Sequence, residues 1–524
     1  MTSNALPYEF VTSEKITIDY LRRSKRVRLV FPKHFKDTNI VRKSRVGRQK
    51  IVDKLLDYNR KLKAPRQVIQ NIESLLRPET HAVITGQQPG LFSGPLYTIY
   101  KAMSTIVICE RLSDQTYTFI PIFWNASEDH DLSEVNHITV FKQNEPFKIQ
   151  YSCESRGIAF SHMSLDKSEL KRMLTIVENV CPNTEFKASL LQDVGAAIQG
   201  SSTIGDFFSR FMIYLFGELG LVMIEPQYLR DLMIPVFDKL IRRPTECTRI
   251  LNEAGSRLNR LGYSPKIHKK SNVCNFFILD DEGARHRVTY NGEFRVGSDG
   301  YTQGELLRLL DDEPSRFSAN AITRSVTQDS LFPTFAYAAG PNEIAYQAQL
   351  KEVYDFFDLE MPVVFPRFGA TILERKVSKV LRKYDAEIHE LRKPENLMKR
   401  VAKGKIDDVF NSFRSEVLRG MDDVTKEVES IDETLLRSCS LARGKLLKTI
   451  GVLEDKILSK LKEHDVITKR QITKAYNNLF PYGDLQERQI NILDYLIKFG
   501  KGFLKIVYEN YLKADYGEHR VITC

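Results

Sequence analysis

The sequence predicts an α/β core followed by a long α-helical coiled coil. Between His81 and Val140, short apolar strands alternate with an amphipathic helix, which is the pattern of a parallel sheet covered by helices. Beyond Ala370, apolar residues recur at near-heptad spacing as far as Leu461, which is typical of a coiled coil. At 524 residues the chain is too long for one ordinary core, so we expect several domains.

The composition is that of a folded, basic protein. Hydrophobic residues make up 42% of the chain and charged residues 27%, which is ample material for a buried core. The net charge of +10 suits acidic small molecules and phosphates as well as nucleic acid, so charge alone does not choose a ligand. A basic run near the N-terminus lacks the aromatic spacing of a nucleic-acid reader, and we interpret it as a solvated helical face. It comprises Arg22, Arg23, Lys25, Arg26, Arg28, Lys33, Lys36, Arg42, Lys43, Arg45 and Arg48.

Cysteine use and the N-terminus bear on the class of protein. The seven cysteines are scattered and never stand in C-x-x-C spacing, so we expect no metal site and no secreted disulfide framework. The N-terminus shows no secretory signal pattern, and no apolar run is long enough to span a bilayer. We therefore expect a cytoplasmic protein with neither membrane nor nucleic acid among its partners.

A βαβ unit opens the predicted core. HAVITG predicts a buried strand, QQPGLFSGP a loop, and the segment from Leu96 a helix, with Pro95 in its first turn, where a missing N–H costs nothing. TFIPIFW predicts a second strand, which opens into the polar loop NASEDHD. Because both loops follow strands of a parallel sheet, they should lie at the same edge, where such folds bind ligands. Gly220–Pro226 and Met361–Arg367 predict further strands, and Asn275–Val296 predicts a small antiparallel insert.

Three apolar series predict the coiled coil. They run from Leu373 to Leu391, from Ile406 to Leu435 and from Leu446 to Leu461. So long an amphipathic stretch needs a partner helix, which folding back, a second subunit, or both could supply. We expect an N-terminal segment packing on the core (1–80), the core with its inserted segments (81–370), a coiled-coil dimerisation arm (371–465) and a C-terminal helical segment returning to the core (466–524).

The loop after the first strand is a candidate anion or nucleotide site. Backbone N–H groups between a strand and a helix face anions, and glycines let a ligand approach closely. The loop matches neither G-x-x-x-x-G-K-[ST] nor G-x-G-x-x-G, and a structural tight turn would also explain its glycines. We interpret Lys101, in the following helix, as a solvated lysine. The binding candidates are Thr85, Gly86, Gln87, Gln88, Gly90 and Gly94.

The acidic loop after the second strand holds the catalytic candidates Asp129, His130 and Asp131, with Glu128 as a binding residue. Carboxylates beside an imidazole can accept a proton from an ammonium group, bind that group, or hold a metal ion. A solvated acidic loop is the structural alternative. His130 has the unperturbed pKa best suited to accept a proton, with Asp129 or Asp131 orienting its ring.

A third polar cluster surrounds GPNE, which predicts a loop before a helix. A polar substrate group could bind at this helix start, although ordinary capping explains Asn342 and Glu343 equally well. Arg367, at the end of a predicted strand, could clamp a carboxylate. The binding candidates are Gln328, Asp329, Asn342, Glu343, Tyr346 and Arg367.

Five segments resemble the successive signature blocks of the bacillithiol-synthesis cysteine ligases (BshC). They are TGQQPGLFSGPLYTIYKA, PIFWNASEDHDLSEVNH, TQDSLFPTFAYAAGPNEIAYQAQLKEVYDFF, MPVVFPRFGATILERK and LFPYGDLQERQINIL, in that family's order. The resemblance implies a Rossmann-like core with inserted connecting segments and a coiled-coil domain that forms a homodimer. It also implies the last step of bacillithiol formation, in which a carbon–nitrogen ligase joins cysteine to glucosaminyl malate through an amide bond.

Amide formation sets chemical requirements. A free carboxylate is a poor electrophile, so it needs activation, most simply by ATP or another nucleotide, and the amine must be neutral. Neither a Walker loop nor a clear synthetase ATP signature is present, so the nucleotide stays open. Two other functions also stay open: an adenylate-forming or nucleotidyl-transferring enzyme acting on a different acid, and a non-catalytic coiled-coil scaffold. The scaffold predicts no polar cavity where the three clusters meet.

Overall fold

The computed structural model describes residues 5–37, 47–153 and 157–524, without the side chains of residues 462–464. Its strands are β1 (Ala5–Leu6), β2 (Thr80–Gln87), β3 (Thr118–Asn125), β4 (His137–Lys142), β5 (Glu145–Gln150), β6 (Val222–Ile224), β7 (Val273–Leu279), β8 (Arg285–Tyr290), β9 (Phe294–Val296), β10 (Asp299–Tyr301), β11 (Phe317–Ala319), β12 (Thr334–Ala339), β13 (Val363–Pro366), β14 (Gly369–Leu373) and β15 (His519–Thr523). Its α-helices are α1 (Lys15–Leu21), α2 (Arg48–Lys61), α3 (Arg66–Ser74), α4 (Leu96–Leu112), α5 (Leu132–Val135), α6 (Lys167–Val180), α7 (Lys187–Gly200), α8 (Ile204–Phe216), α9 (Ile234–Arg242), α10 (Glu246–Arg260), α11 (Gln303–Asp312), α12 (Thr323–Leu331), α13 (Pro341–Gln347), α14 (Lys351–Phe356), α15 (Arg375–Lys383), α16 (Pro394–Gly404), α17 (Asp407–Ile431), α18 (Leu436–His464), α19 (Val466–Leu479), α20 (Gln486–Gln489), α21 (Ile492–Phe499) and α22 (Gly502–Leu512).

The chain forms two compact units. The larger unit contains the described chain up to Thr371 together with Glu487–Ile522, and the smaller contains Ile372–Gln486 and Thr523–Cys524. Residues 466–486 thus group with the helices of the smaller unit, whereas residues 487–522 group with the larger one.

A five-stranded sheet in the order β13-β12-β2-β3-β6 forms the centre of the larger unit. Its paired strands are parallel, as the βαβ pattern predicted, and β2 pairs with β3 from Thr80 opposite Thr118 to Gln87 opposite Asn125. Residues on both faces of these strands are buried, which explains their continuous apolar character. Strand β12, which pairs with both β13 and β2, was missing from the strands predicted from sequence.

The glycine loop between β2 and α4 turns back on itself. Gly94 has a φ of +69°, and a Cβ on Gly90 would lie 2.7 Å from the Gly94 Cα. Both glycines therefore serve the turn, which was the structural alternative for this loop. Helix α4 begins after Pro95, as predicted, and is buried over most of its length.

The antiparallel insert is confirmed as a sheet in the order β10-β9-β8-β7-β11. Gly283 and Gly292 have φ values of +82° and +89° and lie at its predicted turns. One face of the insert packs aromatic rings into a core, where Phe237 contacts both Phe276 and Phe317.

The basic run near the N-terminus differs from the predicted helical face. Helix α1 ends at Leu21, and the run continues through turns and a 3₁₀ helix at Val27–Leu29, although most of its side chains are exposed as expected. Arg42, Lys43 and Arg45 lie outside the described residues.

The smaller unit is helical. Helices α17 and α18 are joined by a four-residue connection and run antiparallel, since Arg414 pairs with Glu454 and Arg443 pairs with Asp422 at 2.7 Å. The long helices are thus confirmed, and they fold back on each other. The prediction of one continuous helix for the first apolar series was wrong. Leu373 ends β14, α15 ends at Lys383, and Ile388–Arg392 is a 3₁₀ helix.

Among the described residues, no helix is both long and apolar enough to cross a bilayer.

Candidate functional site

A cavity of about 500 Å³ lies in the larger unit at the carboxyl edge of the central sheet. Loops that follow β2, β3, β12 and β13 all reach it, so the three polar clusters meet there, as the parallel topology predicts. A non-catalytic scaffold would have lacked such a polar cavity. Its lining consists of Gly86, Gln87, Gln88, Tyr97, Lys101, Asp129, Ala321, Arg324, Gly340, Pro341, Asn342, Glu343, Tyr346, Arg367 and Arg488.

Lys101 forms a buried ion pair in the cavity wall, so its interpretation as a solvated lysine was wrong. It is 4% exposed, its Nζ lies 2.6 Å from Glu343 Oε2, and it donates to the Gly86 carbonyl at 2.9 Å. Glu343 also accepts hydrogen bonds from the Gly340 amide and the Tyr337 hydroxyl. Burial opposes ionisation of Glu343, but the Lys101 ammonium and the Gly340 amide hold the pKa of its carboxyl below its usual range.

Arg367 clamps a carboxylate, but one that belongs to the protein. Its Nη2 and Nη1 donate to the two oxygens of Glu487 at 2.6 and 3.1 Å, and both side chains are buried. Burial raises and the Arg367 guanidinium lowers the pKa of Glu487, with a net decrease, so the pair is ionised. This bidentate contact fixes the guanidinium at the end of β13.

Of the carboxylates in the acidic loop, Asp129 lines the cavity, whereas Glu128 and Asp131 interact with other parts of the protein. Glu128 forms a buried ion pair with Arg230 at 2.8 Å, and Asp131 caps α5 by accepting from the Ser133 amide. Glu128 was predicted to bind a ligand and Asp131 to take part in catalysis. Their positions conflict with those predictions, because both side chains are used inside the protein.

His130 lies beside the cavity without lining it. Its Nδ1 is 3.4 Å from Nη1 of Arg285, a residue of the insert, and 3.9 Å from Oδ1 of Asp129. Because Asp129 lines the cavity and His130 does not, Asp129 is the better placed of the two residues to act as the base.

The remaining predicted residues divide between lining and packing. Asn342 and Tyr346 line the cavity beside Gln87 and Gln88. Gln328 and Asp329 were predicted to bind a ligand, but both lie buried on α12. Asp329 accepts hydrogen bonds from the Gln328 side chain and from the Tyr354 hydroxyl.

Thr85 also packs: its hydroxyl is buried and donates to the Ala338 carbonyl at 2.8 Å, tying β2 to β12. Gly90 and Gly94 shape the turn.

Besides Lys101, sequence reasoning missed three lining residues with polar side chains. Arg324 Nη2 is 3.4 Å from the Tyr346 hydroxyl, Arg488 donates to the Val11 carbonyl, and burial raises the pKa of Tyr97 to about 12. Arg488 and Tyr97 lie inside quoted signature blocks, and Arg324 lies just before one, but no local pattern separated them from surface residues.

The cavity can hold an anionic group and an ammonium group at once. Besides the Lys101–Glu343 and Arg367–Glu487 ion pairs, the lining contains the cationic side chains of Arg324 and Arg488 and the carboxylate of Asp129. Among the described residues, no group of three or more His, Cys, Asp or Glu side chains is arranged to hold a metal ion.

Family comparisons account for nearly the whole chain. The model of the bacillithiol biosynthesis BshC N-terminal Rossmann-like domain matches residues 1–368, and that of the BshC C-terminal coiled-coil domain matches residues 370–524. The chain belongs to the BshC family. The Rossmann-like core and the coiled-coil domain expected from the resemblance are therefore confirmed.

Individual relatives agree with this assignment. A protein of Salinibacter ruber named "Putative cysteine ligase BshC" is 33% identical over 489 residues, covering 91% of this chain and 88% of the relative. A protein of the same name from Bacillus cytotoxicus is 31% identical over 500 residues, covering 92% of each. Membership of this family makes the chain a ligase of bacillithiol biosynthesis.

Proposed function

We propose that this ligase carries out the last step of bacillithiol formation, joining the carboxyl group of cysteine to the amine of glucosaminyl malate as an amide. The cavity carries this proposal, because it places Asp129 in one wall with Arg324 and Arg488 in the same lining. An acceptor that bears both an amine and carboxylates needs those two kinds of group.

Asp129 is the residue that we propose binds the acceptor ammonium and takes its proton. It lines the cavity, whereas His130 lies behind it and contacts Arg285. Arg324 and Arg488 would face the malyl carboxylates. ATP or another nucleotide would supply the activation of the cysteine carboxyl, with Gly86, Gln87 and Gln88 as its contacts on the β2 loop.

The direct test is product formation by the purified chain. Incubation with cysteine, glucosaminyl malate and ATP should yield bacillithiol, detected by mass spectrometry after thiol labelling. Asp129→Asn should lower turnover by about 100-fold or more, as expected for loss of a general base. Asp131→Asn should stay near wild type, because asparagine also caps helices. Activity with a different acid in place of cysteine, and none with cysteine, would support the adenylate-forming alternative instead.

His130→Asn separates the two candidate bases. If His130 were the base, this variant would lose turnover by about two to four orders of magnitude. We expect a smaller loss, because Nδ1 is turned toward Arg285. Comparison of the pH profiles of Asp129→Asn and His130→Asn identifies the residue whose ionisation controls the rate.

We also propose that the chain forms a homodimer through the α17–α18 hairpin. Several large apolar side chains remain exposed there after the two helices have packed together, and an unpaired surface of that kind is unfavourable in water. They include Val409, Phe413, Val424, Ile431, Leu441, Val452 and Leu453. Light scattering at micromolar concentration should give twice the chain mass, and replacing Val424 and Leu441 by lysine should give monomers. A wild-type monomer would contradict the proposal.

The cytoplasmic location expected from the sequence stays a prediction.

A further inference from the structure

The side-chain amide of Gln87 is held in one orientation. Gln87 ends β2 and lines the cavity. Its Oε1 accepts a hydrogen bond from Lys101 Nζ at 3.0 Å, and an ammonium group can only donate. The opposite orientation would place the amide N–H groups against that ammonium, so the oxygen must face Lys101. Gln87 therefore offers N–H donors, and not its oxygen, to a ligand in the cavity.

Lys101 is itself fixed, which makes this orientation rigid. Its Nζ also donates to the Gly86 carbonyl at 2.9 Å and lies 2.6 Å from Oε2 of Glu343, so three oxygens take up its three N–H donors. Because Lys101 is buried, the loss of any of these partners would leave an unsatisfied donor, which is costly. The buried ion pair thus sets which atoms Gln87 presents at the cavity wall.

The Tyr97 hydroxyl is a second donor beside the Gln87 amide. Tyr97 lies in the first turn of α4, lines the cavity and is half-buried. Its oxygen is 3.5 Å from Gln87 Nε2, which is long for a hydrogen bond, and no protein group among the described residues accepts a hydrogen bond from it. Burial raises the pKa of Tyr97 to about 12, so the phenol keeps its proton at neutral pH. Its O–H is therefore available to a ligand.

One oxygen atom fits between these two donors. Because the donor atoms are 3.5 Å apart, the same oxygen can lie about 2.9 Å from each, which is the usual length of such a hydrogen bond. Paired donors of this kind stabilise the negative oxygen that forms when a nucleophile attacks a carbonyl carbon. Asp129, the proposed acceptor of the amine proton, lines the same cavity.

We propose that Gln87 and Tyr97 together bind the carbonyl oxygen of the activated carboxyl substrate and stabilise the oxyanion that forms during amide formation. This role rests on the proposed function, in which a nucleoside triphosphate converts the carboxyl group into a mixed anhydride with a phosphoryl group. An acyl group in such an anhydride lies beside its phosphoryl group, which agrees with nucleotide contacts on the β2 loop.

The bonds and protons of this step balance. Asp129 takes one proton from the acceptor ammonium, and the neutral nitrogen attacks the carbonyl carbon, whose π electrons move to the oxygen between Gln87 and Tyr97. When the carbonyl re-forms, the bond from its carbon to the phosphoryl oxygen breaks. The phosphoryl group leaves with that electron pair and takes the second proton from nitrogen.

Steady-state kinetics of Tyr97→Phe, which removes only the hydroxyl, tests the inference. The kcat for amide formation should fall by about 100-fold or more, whereas KM for either substrate should change by less than about 3-fold, because the contact strengthens in the transition state. Gln87→Glu keeps an oxygen for Lys101 but loses the N–H donors, and it should show the same pattern. Tyr214→Phe is the matched control. Tyr214 is a half-buried tyrosine outside the cavity lining that donates to Asp193 at 3.0 Å, so its replacement should leave kcat unchanged.

Two results would overturn the inference. One is an unchanged kcat in Tyr97→Phe or in Gln87→Glu. The other is an increase in KM at constant kcat, which would mean that the two donors bind a substrate carboxylate in the ground state. Intrinsic fluorescence of the buried Trp124 verifies that each variant is folded, and if one is not, the other carries the test.

Failure of this inference can be told apart from failure of the proposed function. A wild-type protein that forms no amide from cysteine, glucosaminyl malate and ATP would refute the reaction and, with it, this role for the two donors. Amide formation by the wild type with the same kcat in both variants would leave the reaction intact and refute only the role of Gln87 and Tyr97.

Discussion

Replacing Glu225 by glutamine should change how the stability of the larger unit depends on pH. Glu225 follows β6 and is 1% exposed. The Tyr58 hydroxyl donates to its Oε1 at 2.7 Å and the Gln227 amide to its Oε2 at 3.2 Å, and no cation pairs with it among the described residues. Burial raises the pKa of Glu225 from 4.5 to about 7, and the nearby Asp206 contributes to the increase.

The sign of the effect follows from proton binding. The native state holds the Glu225 proton more tightly than the unfolded state, so native protein binds more protons between pH 4.5 and about 7. The free energy of unfolding therefore decreases as the pH rises through this window and levels off above it. A rise from 4.5 to about 7 corresponds to a loss of about 3 kcal/mol at 1.36 kcal/mol per unit.

Glutamine cannot ionise but keeps the size of glutamate and can still accept from Tyr58. At about pH 8 the Glu225→Gln variant should be more stable than wild type by up to about 3 kcal/mol, and near pH 4.5 the two should agree within about 1 kcal/mol. Urea denaturation followed by fluorescence of Trp124 is the assay, because the chain has one tryptophan and its partner in the sheet is Ile224, next to Glu225.

Parallel stability curves for wild type and Glu225→Gln between pH 4.5 and 8 would refute this reasoning, because they would show that Glu225 is ionised without cost. Glu293→Gln is the control: this exposed carboxylate pairs with Arg295, and its replacement should leave the curve unchanged within about 0.5 kcal/mol.

Three further changes test other parts of the structure. Lys101→Met should lower the free energy of unfolding by about 3 kcal/mol or more, because it leaves Glu343 buried without its cation. A loss below about 1 kcal/mol in urea denaturation would mean that another group compensates Glu343. Gly94→Ala should cost about 1 to 2 kcal/mol, because its φ of +69° strains any other residue. Gly304→Ala, in open space on α11, should instead be neutral or stabilising by the same measurement, and equal effects at the two positions would contradict the backbone argument. Glu487→Gln should reduce ligase turnover by releasing Arg367, and wild-type kinetics would show that the fixed guanidinium is not needed.

The alternation of apolar strands with a helix was sufficient to predict the parallel sheet. Parallel strands end at one edge, so the convergence of the glycine loop, the acidic loop and the GPNE loop also followed from sequence, although the acidic loop lines the cavity with Asp129 and not with His130. Strand β12 escaped prediction because its six residues, TFAYAA, are mostly small and follow Pro333, so they show neither alternation nor a long apolar run. The end of α15 at Lys383 was not predicted, because the apolar spacing continues past it. The helix ends there because Asp385 adopts a φ of 44°.

The pairing of the charges around the cavity was decided by tertiary structure alone. Lys101 looks like a surface lysine in its helix, and only the approach of Glu343, which lies far along the chain, makes it a buried part of the cavity wall. Glu128 and Asp129 are adjacent in sequence. Glu128 forms a buried ion pair with Arg230, whereas Asp129 lines the cavity. Local periodicity sets which face of an element is buried, because that depends on neighbours three or four residues away. The charge state and role of a buried side chain depend on which distant segment supplies its partner, and no local pattern contains that information.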